Sequence, residues 1–315
     1  MARYAAKRIL GMIPTVFILL FLVVVMIDFI PGDVIDVMME EAGTNPELRA
    51  RLEQELGLDQ NVVVRYFEYA GNLLQGDFGT SMWGNAPIGP ELMKRIPVTL
   101  EIAFLATVIG TVVGVTFGVL SALRQDSILD YALRSIAIAG ISVPNFAIAT
   151  FIVVMPAIWW GVSPRLSYVT WAEDPMGHFS IILIPALVLA LNLAAAMMRL
   201  SRTTMLEVLR QDYIRTARAK GLAGMQVTVR HALKNALIPV ITLMGLQVAF
   251  LIGGSVIVES VFVIPGLGRF LITSIDQRDY PVLQGIVFLL GFFVMTVNLL
   301  IDLSYAYFDP RIRYG

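Results

Sequence analysis

The sequence predicts an all-α integral membrane protein with six transmembrane helices, and two observations support this prediction. The first is composition: 57% of the 315 residues are hydrophobic and 15% are charged, with a mean hydropathy of +0.76, whereas soluble domains carry about 25% charged residues. The second is a set of apolar runs long enough to cross a hydrocarbon core about 30 Å thick. These runs are Ile9–Phe29, Val98–Leu123, Ser135–Trp160, Ile181–Met198, Ile238–Val263 and Val282–Tyr305.

Charge and cysteine content exclude several kinds of protein. The net charge is −1, and no dense basic patch lies outside residues 212–239, so no nucleic-acid partner is expected. The chain contains no cysteine, which rules out disulfides and thiolate-bound metal ions. Charge and cysteine content therefore exclude a nucleic-acid-binding protein and a disulfide-stabilised protein.

The first apolar run, Ile9–Phe29, is interpreted as a retained span rather than a cleaved signal peptide. It is longer than a typical signal-peptide core, and Pro31-Gly32-Asp33 follows it instead of a cleavage site of small residues. We therefore expect this run to stay in the membrane.

Residues 31–97 are too charged to lie in a bilayer and are predicted to form a structured extracytoplasmic insert. Asn45-Pro46 is typical of a helix start, and that helix is expected to end at Leu56. A second helix is predicted by an apolar stripe formed by Val63, Phe67, Ala70 and Leu74. Because an apolar stripe must be buried, the insert is expected to be folded.

The predicted organisation has four parts. Residues 1–30 form a cytoplasmic N terminus with the first span, and residues 31–97 form the insert. Residues 98–305 form a five-helix core with a cytoplasmic loop at 199–237, and residues 306–315 form a cytoplasmic tail. Most of the 23 Lys and Arg residues lie in the segments assigned to the cytoplasm, as the positive-inside rule predicts. Both termini are therefore expected to be cytoplasmic.

Two features inside the spans predict local geometry. Gly110, Gly114 and Gly118 recur every four residues in the second span, and small residues on one helix face favour close contact with another helix. Pro144 interrupts the third span. We therefore expect a tightly packed second helix and an irregular third one.

The polar stretch Asp212–Pro239 lies between two apolar runs and is predicted to contain a short helix. Asp212 is a favourable N-cap and Gly221 a favourable C′ residue. Tyr213, Ala217 and Gly221 recur on one helical face. Two of these three residues are small, so the backbone of a partner protein could approach closely.

The remainder of this stretch leaves two interpretations open. Arg215 and Arg218 flank the small-residue face, and Gly224 can begin a second helix with an apolar stripe. The stripe is formed by Val229, Leu233 and Ala236. Either the stretch binds another protein, or it is a basic hairpin that lies on anionic lipid.

Polar residues inside the predicted spans are candidates for a translocation path, because they are costly in lipid. These residues are Asn145, Asn192, Gln247, Ser255, Glu259 and Asn298. For the amides, hydrogen bonding between helices is the alternative explanation. For Glu259, a structural or gating role and substrate contact are both open.

Motifs for catalysis are absent from the sequence. It contains no GxxxxGK[ST] phosphate-binding loop, no HExxH zinc motif and no GxSxG nucleophile motif. We therefore expect no catalytic site, no metal site and no cofactor in this chain, and ATP would have to be used by a partner.

Several motifs together resemble the permease subunits of ATP-binding-cassette (ABC) importers of the dipeptide/oligopeptide type. The motifs are RTARAKG at 215–221, HALKNALIP at 231–239, IPGD at 30–33, LGLD at 56–59, GDFGTS at 76–81, PGLGR at 265–269, RDYPV at 278–282 and DPRIRYG at 309–315. Relative to the general importer motif, Arg215 replaces Glu, Thr216 replaces Ala and Lys234 lies near an expected Pro. Val34 stands where this family usually has Pro.

This resemblance implies a type I ABC importer permease fold in a bacterial or archaeal cytoplasmic membrane. It implies four kinds of partner: a second homologous permease, two ABC ATPases that bind ATP and Mg²⁺, an extracytoplasmic substrate-binding protein and the bilayer. The substrates implied are di- and oligopeptides, with glutathione, nickel chelates or oligosaccharides as alternatives. Contact with the ATPases is implied for Tyr213, Arg215, Ala217, Arg218 and Gly221.

Two other classes of function were weighed against this one. An ATP-independent secondary transporter or channel would need an inverted repeat or a pair of broken helices, for which Pro144 and Gly253-Gly254 are faint signals. An intramembrane hydrolase would need a catalytic constellation that the sequence lacks. The importer permease is therefore the favoured prediction.

Overall fold

The structure is a computed structural model that describes residues 2–29, 60–162 and 168–308. The regular elements in these residues are helices, and one isolated backbone bridge joins Thr80 and Pro87. The helices are α1 (Ala2–Met26), α2 (Val62–Leu74), α3 (Ile88–Leu123), α4 (Ile128–Ser142), α5 (Asn145–Trp160), α6 (Pro175–Leu209), α7 (Asp212–Ala219), α8 (Gly224–Val261), α9 (Leu267–Asp276) and α10 (Tyr280–Phe308). The predicted all-α fold class is confirmed.

Five helices among the described residues are long and apolar enough to cross a membrane, namely α1, α3, α6, α8 and α10. Helices α4 and α5 pass the same test together, but they are bent by 90° at the break between them. The break occurs because Val143, which precedes Pro144, is extended with ψ 122°, and Pro144 is the N-cap of α5. Counting this pair as one broken span gives the six predicted spans.

Some helices extend beyond the predicted spans. Helix α3 begins at Ile88 rather than Val98, so the last part of the predicted insert is helical. Helix α6 begins at Pro175, and the Asp174 carboxylate caps it by accepting a 2.9 Å hydrogen bond from the Gly177 backbone N–H. Hydropathy marks where a helix is apolar, and capping residues mark where it ends.

The chain divides into two compact units, and the first comprises residues 1–97 and 270–296. In this unit the Arg65 guanidinium donates to Asp28 at 2.7 Å, and the Asp279 carboxylate accepts a hydrogen bond from the Ser81 hydroxyl. The indole N–H of Trp83 donates to the carbonyl oxygen of Gln277 at 2.8 Å. The Ser81 and Trp83 contacts fix the turns that precede α3 and α10, and the Arg65 contact joins α2 to the turn after α1.

Helix α2 confirms the second predicted helix of the insert but not its burial. Val63, Phe67 and Leu74 are 53%, 65% and 91% exposed, so the expectation that this stripe is buried is wrong. The first predicted helix of the insert, which ends near Leu56, lies outside the described residues. The apolar spacing predicted the helix without determining what its apolar face packs against.

The second unit comprises residues 98–269 and 297–315, and its core is formed by α3, α5, α6 and α8. A Cβ atom added at Gly114 or Gly118 would lie 2.5 or 2.6 Å from backbone oxygens of α6. One added at Gly110 would lie 2.8 Å from a side chain of the same helix. The predicted close contact at these glycines is confirmed.

A buried ion pair joins α4 to α6 in this unit. Asp130 is fully buried and accepts hydrogen bonds from Nε and Nη2 of Arg202 at 2.8 and 2.7 Å. The Ser121 hydroxyl of α3 donates to the same carboxylate at 2.5 Å, and the Asp126 backbone N–H donates at 3.0 Å. The carboxylate therefore connects α3, α4 and α6 at one point.

Candidate coupling surface and translocation cleft

The short helix α7 begins where the sequence predicts, but with a different cap. Gln211 is the N-cap, with extended φ −71° and ψ 149° and no side-chain capping bond, and Asp212 is the first helical residue. The expectation that Asp212 caps the helix is therefore wrong by one position. Its carboxylate still lies in the first turn, where negative charge is favourable.

The C-terminal end of α7 confirms the predicted role of Gly221. This residue has φ +81°, a left-handed conformation that glycine adopts at little cost. Its backbone N–H donates to the carbonyl oxygen of Arg218 at 2.9 Å, and the backbone N–H of Leu222 donates to the carbonyl oxygen of Ala217 at 3.4 Å. This pair of bonds is a Schellman motif, so Gly221 is the C′ residue.

Of the three residues that the sequence analysis assigned to a partner-facing side of α7, Tyr213 (42% exposed) and Gly221 are exposed, but Ala217 is not. Ile214 and Ala217 are 0% and 7% exposed and belong to a buried cluster with Met205, Val227 and Ala232. The expectation that Ala217 is open to a partner protein is wrong. Ile214 is the largest apolar residue of the helix, and its burial turns this face towards the protein's own core.

Tyr213 connects α7 to α8 through hydrogen bonds. Its hydroxyl accepts from the Asn235 side-chain amide at 2.9 Å and lies 3.5 Å from the His231 carbonyl oxygen. The same Asn235 amide donates to that carbonyl at 3.1 Å. We call Tyr213, Asn235 and the His231 carbonyl the Tyr213 latch.

The first turns of α8 include a π-helical segment at Val227–Leu233. The predicted stripe is confirmed at Ala236, which is buried, and is wrong at Val229, which is 52% exposed. Besides Ala236, the residues of this region that are buried against α7 are Val227 and Ala232. The five-residue step from Val227 to Ala232 follows from the wider turn of a π-helix. A regular 3.6-residue period could not predict it.

The outward side of α7 is polar and open. The Arg215 and Asp212 side chains are 76% and 93% exposed and form a loose pair at 3.4 Å. Arg218 and Gly221 are also exposed, and Leu222 is 37% exposed. We call these five residues the outer face of α7, and it is the side that a partner protein can reach.

Three of the polar residues predicted inside the membrane come together. Asn145 at the start of α5, Asn192 on α6 and Gln247 on α8 line one cleft of about 70 Å³. The side-chain oxygen Oδ1 of Asn145 is buried and accepts no hydrogen bond. This amide cleft has room for about two water molecules and offers carboxamide donors and acceptors from three helices.

The other three predicted path residues lie elsewhere. Glu259 is fully buried, and its Oε2 atom accepts from the backbone N–H groups of Gly268 and Arg269 at 2.7 and 3.2 Å. It therefore caps the N-terminus of α9, which supports the structural role for this residue. Ser255 is buried on α8, and Asn298 is exposed on α10. None of the three lines the amide cleft.

Sequence reasoning missed Ile214, Asn235 and the Asp130–Arg202 pair. Asn235 lies in the HALKNALIP motif that carried the resemblance, but only the fold reveals its tyrosine partner. Asp130 and Arg202 are far apart in sequence, so no local pattern could pair them. Within the described ranges, no group of three or more His, Asp or Glu side chains is arranged to hold a metal ion.

Comparison with known proteins decides the family. The family described as the binding-protein-dependent transport system inner membrane component matches residues 114–314. The corresponding N-terminal family matches residues 1–103. This chain belongs to that transport family. The predicted resemblance to ABC importer permeases is confirmed.

Relatives in this family are similar over their full length. A putative peptide transport system permease protein of Brucella abortus is 39% identical, with 98% of each chain covered. The dipeptide transport system permease protein of Escherichia coli K12 is 38% identical, with 100% of this chain and 99% of the relative covered. The glutathione transport system permease protein of Shigella flexneri is also 38% identical, with both chains covered completely.

Solved structures of ABC transporters share the fold. The inward-facing MetNI methionine ABC transporter matches 69% of this chain and 96% of its own, with a TM-score of 0.55 and 19% identity. An amino acid ABC transporter with histidines matches 69% of this chain and 94% of its own, with a TM-score of 0.55 and 18% identity. The fold is that of type I ABC importer permeases.

Proposed function

We propose that this chain is one of two permease subunits in an ATP-driven importer of di- and oligopeptides. An extracytoplasmic binding protein delivers the peptide, and a second homologous permease completes the path. The observation that carries this proposal is the full-length similarity, at 38–39% identity, to permease proteins named for peptide, dipeptide and glutathione transport. Membership of a binding-protein-dependent family favours it over a secondary transporter or channel.

The chemistry of the amide cleft supports peptides as substrates. Carboxamides both donate and accept hydrogen bonds, so Asn145, Asn192 and Gln247 match the N–H and C=O groups that every peptide offers. The residues that line the cleft carry no charge, which suits peptides with different side chains. The cleft is smaller than ligand pockets of about 300–1,000 Å³, so we assign it one part of a wall that the second permease completes.

Glutathione is the second candidate substrate, because one of the similar permeases is named for its transport. Glutathione is itself a tripeptide, and its amide groups suit the same cleft. Uptake into vesicles that contain the assembled transporter and its binding protein separates the two candidates. Saturable uptake of dipeptides, with no competition by glutathione, supports the first; uptake of glutathione alone contradicts it.

We assign the coupling to ATP hydrolysis to α7. Two ABC ATPases bind ATP and Mg²⁺ and contact the outer face of α7, where Arg215 and Arg218 are exposed. Ala217 is buried against α8 and the 42% exposed Tyr213 hydrogen-bonds to Asn235 of α8, so both residues hold α7 against α8. Gly221 sets the chain direction at the end of the helix. Because Gln247 lies on α8, a displacement of α7 by the ATPases also moves this side of the amide cleft.

We place the chain in a bacterial or archaeal cytoplasmic membrane with both termini, α7 and the tail in the cytoplasm and α2 outside. Because the chain has no cysteine, single cysteines report this arrangement directly. In intact cells an impermeant thiol reagent is expected to label Glu68→Cys on α2 and not Arg218→Cys on α7. Labelling of Arg218→Cys from outside would contradict both the orientation and the coupling assignment.

A further inference from the structure

A cleft of about 320 Å³ lies between α4 and α6, at the end of α6 where its apolar stretch gives way to arginines. Arg134 of α4 and Arg199 of α6 line one part of it. Ile138, Ile141 and Met198 form an apolar wall beside them. We call this the α4–α6 cleft.

Two of the three arginines that line the α4–α6 cleft have no carboxylate partner among the described residues. Arg202 also lines it, but the buried Asp130 carboxylate neutralises that guanidinium. Arg134 and Arg199 are exposed, and within the described part of the chain neither pairs with a carboxylate. Within the described residues, two guanidinium groups without a carboxylate partner therefore lie beside an apolar wall, and that of Arg134 also lies over the Tyr131 ring at 5.7 Å.

Hydroxyl groups complete the polar side of the cleft. Ser121, Ser142 and Thr203 line it together with the arginines. The Ser142 and Thr203 hydroxyls donate to carbonyl oxygens one turn earlier in their own helices at 2.8 and 3.1 Å, and each keeps lone pairs that can accept a hydrogen bond. The polar side therefore suits a ligand that carries both negative charge and hydroxyl groups.

We propose that the α4–α6 cleft binds an anionic phospholipid. The phosphate group lies between Arg134 and Arg199, and one acyl chain lies along Ile138, Ile141 and Met198. Basic pockets between transmembrane helices are known to suit acidic lipid head groups, and the volume lies in the range of small-molecule sites. This proposal goes beyond the transport function and does not depend on the identity of the substrate.

Charge complementarity favours this occupant over three others. A neutral lipid would leave both guanidinium groups without a counterion. A free phosphate ion would leave the apolar wall in water. A helix of a second permease would have to bring carboxylates to both arginines. An anionic phospholipid satisfies the arginines and the wall together, and it would brace α4 against α6 beside the Asp130–Arg202 pair.

The test is native mass spectrometry of the full-length chain assembled with its partner subunits, titrated with dioleoyl phosphatidylglycerol or dioleoyl phosphatidylcholine. We expect phosphatidylglycerol to be retained preferentially. The double variant Arg134→Gln/Arg199→Gln is expected to weaken its retention by about 30-fold, since each basic group near a membrane surface contributes about fivefold in affinity. The matched control is Arg124→Gln, which removes an exposed arginine that does not line the cleft.

A second variant blocks the cleft while leaving its charge and the fold unchanged. Ile138 is 64% exposed, so Ile138→Trp fills the cleft without disturbing the core, and it is expected to lower retention of phosphatidylglycerol with both arginines present. Equal retention of the two lipids, or full competition by glycerol phosphate, would overturn the proposal. So would loss of the second permease in the arginine variant with lipid retention unchanged, because the cleft would then be a subunit interface.

Discussion

Replacing Asp130 by asparagine is expected to destabilise the fold more than any change to an exposed ion pair. The carboxylate is fully buried and accepts from two nitrogen atoms of Arg202. An asparagine side chain keeps one acceptor oxygen and places an NH₂ group where the other accepted. The Arg202 guanidinium, whose side chain is 18% exposed, then keeps its positive charge but loses the carboxylate that hydrogen-bonds to it.

The expected magnitude follows from this geometry. Removing one partner of a buried ion pair costs about 3–5 kcal/mol. We expect Asp130→Asn to lie near the lower end, at about 3 kcal/mol, because Arg202 keeps some contact with solvent. This energy corresponds to a change of about 150-fold in the equilibrium constant for unfolding.

The assay is unfolding of the purified chain in mixed micelles, followed by tryptophan fluorescence. The matched control is Lys94→Ala, which breaks a 2.9 Å pair with Glu91 on a side chain that is 71% exposed and is expected to cost less than about 1 kcal/mol. The double variant Asp130→Asn/Arg202→Gln is expected to lose less stability than the two single losses combined. If Asp130→Asn loses no more stability than the Lys94→Ala control, the buried pair does not hold α4 against α6.

Two further predictions concern helix packing and coupling. Gly114→Ala is expected to lower the free energy of unfolding by about 1–3 kcal/mol, because its methyl group overpacks against α6, and the same unfolding assay measures the loss. The control is Gly253→Ala, which is expected to be neutral or slightly stabilising because a Cβ atom there has nothing within 4 Å. Tyr213→Phe removes the hydroxyl that Asn235 bonds, a loss of about 1 kcal/mol. It is expected to lower substrate-stimulated ATP hydrolysis by the assembled transporter about fivefold, with unchanged assembly.

The outcomes that would contradict these two predictions are distinct. Equal unfolding midpoints for the two glycine variants would mean that α3 and α6 do not approach as closely as their backbones indicate. Full stimulation of hydrolysis in Tyr213→Phe would mean that the Tyr213 latch takes no part in coupling. Reduced assembly in the same variant would move the role of Tyr213 from coupling to folding.

The sequence predicted the spans because apolar length is a local property. It also predicted the packing role of Gly114 and the C′ role of Gly221, since a four-residue spacing and a left-handed turn each require small residues. These features depend on residues close together in the chain. The structure therefore keeps the glycine contacts and the turn, although α3 and α6 extend beyond their predicted spans.

The sequence did not predict which side of α7 is buried. Ala217 was assigned to a partner because it is small, whereas the structure buries it beside Ile214. The π-helical segment at Val227–Leu233 places Val227 and Ala232 on the buried face of α8 in place of Val229. Burial of a face is decided by the helix that packs on it, which a single-helix pattern does not contain.

The six candidate path residues do not all lie at one site. Six polar residues were selected because each lies in an apolar run, but only Asn145, Asn192 and Gln247 share a cleft. Glu259 instead caps α9 through bonds to residues that follow the span. Membership of a cleft depends on the rotation of three helices about their axes, and that rotation is set by packing across the whole core.

The measurement that tests the central claim most directly is ATP hydrolysis by the assembled transporter in lipid vesicles, with and without peptide-loaded binding protein. The double variant Arg215→Glu/Arg218→Glu reverses two exposed charges on the outer face of α7 and is expected to leave folding intact. We predict stimulation by the loaded binding protein in the unmodified chain and a loss of about tenfold or more in the variant. The control Arg230→Glu, which reverses an exposed charge on the π-helical segment, is expected to keep its stimulation. Normal stimulation in the double variant would contradict the account of α7 as the site of coupling.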